Sequence, residues 1–117
     1  MNAPNDPAGL TDKEYSRLTA QVLAGVEASV DEWLQQDIVD IDTERSGGLL
    51  ELSFPDGSKI VLNTQPPLYE LWLAARGGGF HFKYVEGQWV DTKHGREFFA
   101  VLSACASEQA GIVLRFA

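Results

Sequence analysis

At Val39 the spacing of apolar residues changes from three-and-four to two, and that change sets the order of elements in this chain. Before it, Thr11-Asp12-Lys13-Glu14 has the spacing of a capping box. Tyr15, Leu18, Val22, Val26, Val30 and Trp33 then follow on one stripe, which predicts a helix over residues 12–35. After it, Val39, Ile41 and Thr43 alternate with Asp40, Asp42 and Glu44, the pattern of a half-buried strand. Ser46-Gly47-Gly48 turns the chain into a second alternating run, Leu50 to Phe54, and Pro55-Asp56-Gly57 is a turn into a third, Lys59 to Asn63. A fourth is expected around Tyr69 to Ala75 and a fifth over Phe80 to Val85, with Gly77-Gly78-Gly79 as the breaker between them. Glu86-Gly87 closes a hairpin onto Gln88-Trp89-Val90. Helical spacing returns from about Arg96 to Gln109 and stops at Gly111, and Ile112 to Phe116 reads as a last extended segment.

The predicted fold is therefore α+β, a two-layer sandwich. Strands joined by short turns must run antiparallel. An N-terminal and a C-terminal helix can share one face of a sheet of about six strands and leave the other in water. With 117 residues the chain makes one domain, assigned to 11–117, behind a flexible leader of residues 1–10 that holds two prolines. A single cysteine, Cys105, supports neither a disulfide framework nor a Cys-based zinc site, and it reads as a small buried hydrophobe. The leader lacks the basic and apolar regions of a signal peptide, and no apolar run approaches the ~20 residues of a membrane span. A cytoplasmic protein is expected.

Charge is unevenly placed. Residues 1–51 hold eleven acids and three bases, and the remaining 66 hold six of each, so the net charge of −8 belongs to the first half. Nucleic acid and anionic membranes are excluded as partners, because both need a basic face. Asp31, Glu32, Asp37, Asp40, Asp42 and Glu44 gather where the helix should end and the first strand begin. On a strand, Asp40, Asp42 and Glu44 would project together at ~6.6 Å spacing. Two charges at that distance repel by roughly 0.6 kcal/mol in water and ~2.5 kcal/mol at an effective dielectric of 20. Asp31 and Glu32 also oppose the helix dipole, which favours cations at a C-terminus by ~0.3–1 kcal/mol. A solvated acidic face is the ordinary reading of such a run. Two local rules broken in one neighbourhood instead point to a surface awaiting a cation, either a metal ion or a basic protein. Oxygen-only ligands suit hard ions, among them Ca²⁺, Mg²⁺, Mn²⁺ and iron. No histidine lies in the acidic region and no EF-hand spacing is present.

Leu71 and Leu73 make the better core face of their strand, which places Trp72 on the open side beside Glu70 and Ala74. There it is either an interface anchor or a residue half-covered by its neighbours. His81 alternates with core aromatics and would share the open face. Trp33 and Trp89 read as core or rim, and His94 as a solvated loop residue. Gly77-Gly78-Gly79 precedes a strand, with no helix N-terminus to form a phosphate cradle. No Ser/His/Asp or Cys/His arrangement is evident, so covalent catalysis is not expected.

Over about residues 11–117 the chain resembles the frataxin family, in its short bacterial form. The resemblance is carried by the acidic first helix and by Asn63-Thr64-Gln65-Pro66-Pro67 followed by Trp72-Leu73. It is also carried by Gly79-Phe80-His81-Phe82 and by Gly87-Gln88-Trp89 before the last helix. It implies an α/β sandwich and weak binding of Fe²⁺ or Fe³⁺ on an acidic ridge, where the oxygen-only ligands would let other divalent ions substitute. It implies work in iron–sulfur cluster assembly with a cysteine desulfurase and a scaffold protein, as a monomer that metal can drive into oligomers. The ridge falls here on Asp12, Glu27, Asp31, Glu32, Asp40, Asp42 and Glu44, and the open-face patch on Asn63, Gln65 and Trp72, with His81 beside it. Ala28 and Leu34-Gln35-Gln36 are less acidic than the corresponding stretch in many relatives. The leading expectation is an adaptor or regulator; ferroxidase chemistry with iron storage, and a generic divalent-cation buffer, are the alternatives. A ferritin-like di-iron site would need Glu-x-x-His pairs on helices, and none occurs.

Overall fold

The computed structural model describes residues 9–117. Most of the predicted leader lies outside those residues, but Leu10, at its end, is buried in the core. Helix α1 spans Asp12–Gln35. Its capping box is made on both sides: Glu14 N–H donates to Thr11 Oγ1, and Thr11 N–H donates to Glu14 Oε1, each at 3.1 Å. Leu10 and Tyr15, on either side of the cap, are both buried, with the spacing of a hydrophobic staple. The inward stripe is centred on Tyr15, Thr19, Val22, Leu23, Val26 and Val30, with Leu18 and Trp33 at its margins. Thr19 is admitted because its hydroxyl donates to Tyr15 O at 3.0 Å within the helix.

Six strands follow as an antiparallel meander in chain order: β1 Asp42–Ser46, β2 Leu49–Ser53, β3 Lys59–Gln65, β4 Glu70–Ala75, β5 Gly78–Val85 and β6 Gln88–Asp91. A 3₁₀ turn, Pro66–Leu68, joins β3 to β4. Helix α2, Phe98–Ala110, starts at Glu97, whose carboxylate accepts from Phe99 and Ala100 N–H, and ends at Gly111 in the left-handed region.

Three expectations are corrected. The first strand begins at Asp42 rather than Val39, and every residue in it is exposed, so it is not half-buried. Ile41, just before it, is buried, and β1 itself is an edge strand whose inward side the helices do not cover. The breaker between β4 and β5 is Arg76-Gly77, and Gly78 and Gly79 belong to β5. The tail after Gly111 is not a strand. Ser107 Oγ donates to Leu114 O and accepts from Leu114 N–H, Ser103 Oγ accepts from Phe116 N–H, and the tail is thereby laid along α2. Leu114 and Phe116 are buried, and Phe116 meets the Trp33 ring edge-on at 4.8 Å.

The register sorts the two faces of the sheet. Leu50, Leu62, Leu73 and Phe80 lie in one cross-strand row, and Leu52, Ile60, Leu71 and Phe82 extend the same face beneath the helices. The opposite row runs Leu49, Asn63, Trp72, His81 and is open.

Past β6 the chain makes a tight loop around Asp91, whose buried carboxylate accepts from the N–H groups of Lys93, His94 and Arg96 and from Arg96 Nε. Burial alone would raise the Asp91 pKa, but these hydrogen bonds outweigh it and hold it down to about 2. A folded-state value below the unfolded one adds stability above the ordinary carboxylate range, and that stability is lost as pH falls. Acid unfolding of the wild type should therefore steepen between about pH 4 and pH 2. In Asp91→Asn, urea midpoints should be lower at neutral pH and flatter across that window; parallel pH profiles would refute the assignment.

Candidate functional site: an acidic edge and an open sheet face

The acidic residues form a border along the last turns of α1, the following loop and β1. Asp31, Glu32, Asp40, Asp42 and Glu44 are all exposed, and no basic residue occupies the last turn of α1. Asp42 and Glu44 stand on the open face of the sheet, opposite Ser53 and Glu51. Asp40 precedes the strand, so it is not the third member of an alternating row. Glu44 faces Glu51 across the ladder, a like-charge pair answered by Lys59, which bridges to Glu51 at 2.9 Å.

Two of the expected ridge residues are differently placed. Glu27 pairs with Arg45 Nη1 at 2.5 Å, a tie between α1 and β1. Asp12 accepts a hydrogen bond from the Tyr69 hydroxyl at the other end of α1. Fifteen residues of helix separate it from Glu27, ~22 Å along the axis, so it is a separate acidic point. Among the described residues, no three His, Cys, Asp or Glu side chains converge closely enough to hold a metal ion. The carboxylates are a border of separate charges.

Asp37 was part of the acidic run but carries a second feature that only the backbone shows. It takes the left-handed conformation, φ 58°, at the end of α1. Its N–H donates to Leu34 O, and Ile38 N–H donates to Trp33 O, which is a Schellman closure normally built with glycine. An aspartate there carries both a conformational cost and a charge at the wrong end of the dipole. Asp37→Gly should stabilise the fold by about 1 kcal/mol and raise Tm by about 5 °C. Asp37→Asn, which keeps the conformation, should deliver the electrostatic part alone. A thermal scan in which neither variant gains would show that the closure is unstrained.

On the open face, Trp72 lies flat on His81, with ring centroids 4.0 Å apart and an interplanar angle of 7°. Trp72 Nε1 donates to Glu70 Oε1 at 2.7 Å. Glu70 is the residue that sequence reasoning missed as an organiser. It is nearly buried, and its other oxygen lies 3.3 Å from Lys83 Nζ, while His81 Nδ1 is 3.7 Å from Oε1. Trp72 is therefore half-buried and held in one orientation, as the second of its two readings has it. Asn63 is its cross-strand neighbour. Gln65 enters through its backbone: its N–H donates at 2.9 Å to the hydroxyl of Tyr15 on α1. Cys105 is half-buried rather than buried as expected, and the burial it has raises its thiol pKa.

An acidic border thus runs along one sheet edge, beside an open face that presents one oriented indole. The frataxin-like domain model matches residues 8–112, nearly the whole chain. The chain belongs to the frataxin-like family. One relative, the iron-sulfur cluster assembly protein CyaY of Burkholderia mallei, is 49% identical over 107 residues, covering 92% of this chain and 98% of its own. Among solved structures, a frataxin from Psychromonas ingrahamii, of the CyaY protein family, superposes with a TM-score of 0.82 at 32% identity, over 92% of this chain and 99% of that one. The trimeric frataxin of the yeast Saccharomyces cerevisiae, in a ferrous complex, has a TM-score of 0.68 at 24% identity, over 93% of each chain, and shares the fold. The two helices and six-stranded sheet of this frataxin-like domain are thus the family's architecture. No helix among its described residues is long and apolar enough to cross a membrane.

Proposed function

We propose that this protein is an iron-binding adaptor and regulator of iron–sulfur cluster assembly in the bacterial cytoplasm, with no covalent catalysis of its own. The observation that carries the reading is the exposed acidic border from Asp31 to Glu44, which holds no lysine or arginine, and the next residue, Arg45, is already spent on Glu27. Such a border steers a basic surface toward itself and presents it with unpaired charge. Membership of a family whose relatives bear the name of cluster assembly proteins supports a partner within that pathway, and in this reading the basic partner is the cysteine desulfurase. The oriented Trp72, with Asn63, Gln65 and His81 around it, offers a second contact on the open face, suited to the scaffold protein.

Iron is cargo in this reading. With no three carboxylates converging among the described residues, an Fe²⁺ or Fe³⁺ ion would be held by one or two of Asp31, Glu32, Asp40, Asp42 and Glu44 and completed by water. Binding should be weak and open to other divalent ions. Each bound ion cancels charge on the border that docks the desulfurase, so metal loading and partner affinity oppose each other.

The test is titration of the ¹⁵N-labelled protein with the desulfurase of its own organism. Signal loss centred on residues 27–44 and reversed by high salt is expected. Unchanged spectra at micromolar partner would sink the adaptor reading and leave metal buffering or ferroxidase chemistry.

A further inference from the structure

At the far edge of the sheet from β1 the charge reverses. A cavity of about 300 Å³ opens between the start of β5, Gly77 to His81, and the loop Asp91 to Arg96. Its charged lining is Lys93, Arg96 and Asp91, with His81 and His94. The acid among them is consumed: Asp91 accepts three backbone N–H groups and Arg96 Nε, and it is buried. The next acid along the chain, Glu97, is also consumed, accepting from Phe99 and Ala100 N–H at the start of α2.

The cations are not consumed in the same way. Arg96 spends Nε on Asp91 and lays its guanidinium over the Phe80 ring at 5.4 Å, and its two Nη groups have no hydrogen-bond or ion-pair partner among the described residues. Lys93 Nζ and the His94 ring likewise have none. Asp91 fixes the loop, so Lys93, His94 and Arg96 are presented from a pinned backbone.

The backbone adds a donor. Odd-numbered residues of β5 face β6, because Val85 and Gln88 close the two-residue hairpin. The ladder ends at Phe82 and Asp91, and beyond it comes only Thr92 N–H to His81 O at 2.9 Å. Gly79, next on that side, therefore turns its N–H toward the cavity, past the end of β6. An amide donor beside an arginine fork and a lysine, with the oxygens of the local acid already taken by hydrogen bonds, forms an oxyanion receptor.

We propose that this cavity is a binding site for a small phosphate-type oxyanion, held by the Gly79 N–H, the Arg96 Nη groups and Lys93, with His94 at the mouth. The site lies five strands from β1, ~24 Å across the sheet, and it does not depend on the adaptor reading. It gives an acidic molecule one cationic pole, able to seat a free anion or the terminal phosphate of an organic carrier.

The experiment is a titration of the ¹⁵N-labelled protein with inorganic phosphate, holding ionic strength constant with sodium chloride, and a second arm with glycerol phosphate. Saturable millimolar shifts at Gly78, Gly79, His81 and Lys93 to Arg96, absent with chloride and without movement of residues 27–44, are expected. Equal affinity for glycerol phosphate would support a carrier-borne phosphate as ligand, and weaker affinity would support the free ion. Lys93→Glu combined with His94→Glu alters two exposed side chains and leaves the Asp91 loop intact; it should weaken phosphate binding at least about tenfold, ~1.4 kcal/mol, at unchanged Tm. Shifts that chloride reproduces, or that survive the double substitution, would overturn the site.

Discussion

Asp31→Lys combined with Glu32→Lys should weaken desulfurase binding about tenfold at physiological salt, and by much more at low salt, while the fold becomes more stable. The affinity follows from Coulomb's law. A unit charge ~8 Å from an opposite one across a wet interface, at an effective dielectric of about 40, contributes ~1 kcal/mol. Two reversals change four unit charges, and screening over a Debye length of ~8 Å leaves roughly 0.4 of the sum, ~1.5 kcal/mol. The stability follows from the helix. Both positions lie near the C-terminal end of α1, where no basic residue is present, and each lysine should gain ~0.3–1 kcal/mol against the dipole. Opposite signs for affinity and stability separate a docking role from a structural one. Isothermal titration against the desulfurase at two salt concentrations, with a thermal melt of the same sample, reads both. Unchanged affinity with raised Tm would show that the border is solvated acid and nothing more.

Much of this surface was legible in the sequence, and the parts that were not have a common cause. The bounds of α1 followed from the Thr11 box and the apolar stripe, because both signals are local and repeat along the helix. The outward aim of Trp72 followed from Leu71 and Leu73 on either side of it, both of which are buried. The start of β1 did not follow. Val39 and Ile41 continue an alternating pattern, but Ile41 fills the core before pairing begins, and an edge strand exposed throughout has no burial period to read. Nor could the sequence pair Glu27 with Arg45, eighteen residues on, or show that Glu70 organises Trp72, His81 and Lys83. Those ties depend on which strands lie side by side. By its density in sequence the acidic run left a metal ion and a basic protein equally open as the answering cation. In space its members spread along a helix end, a loop and an edge strand, which favours a field over a coordination site. The tail misled for a similar reason: Ile112 to Phe116 has strand-like composition, but Ser103 and Ser107 of α2 supply its hydrogen bonds.

Tyr15→Phe should destabilise the protein by about 3 kcal/mol, one of the largest losses available from removing a single atom. Tyr15 is 2% exposed, and its hydroxyl donates to Glu70 O at 2.5 Å while accepting from Gln65 N–H at 2.9 Å. Burial pushes its pKa up to about 12 against the lowering effect of the Gln65 bond, so the hydroxyl stays protonated and donating throughout the working range. Phenylalanine keeps the ring and its contacts with Tyr69 at 5.3 Å and Trp89 at 6.0 Å, but it strands one carbonyl and one N–H. Each stranded buried group costs ~1–3 kcal/mol, and the combined loss should lower Tm by about 12 °C. Under the proposed function the position bears on partner binding as well as stability. Gln65 ends β3 and Glu70 begins β4, so this hydroxyl on α1 ties together the two strands that place Asn63 and Trp72 side by side. Glu70 is in turn the acceptor that orients the Trp72 indole. Hydrogen exchange in the variant should therefore quicken at Gln65 and through Glu70 to Leu73, ahead of the border at residues 27–44, and the scaffold contact should weaken before the desulfurase contact does. A wild-type melting temperature would mean that water replaces the hydroxyl, and uniform acceleration of exchange across both regions would mean that the two docking surfaces rise and fall with the fold as one unit.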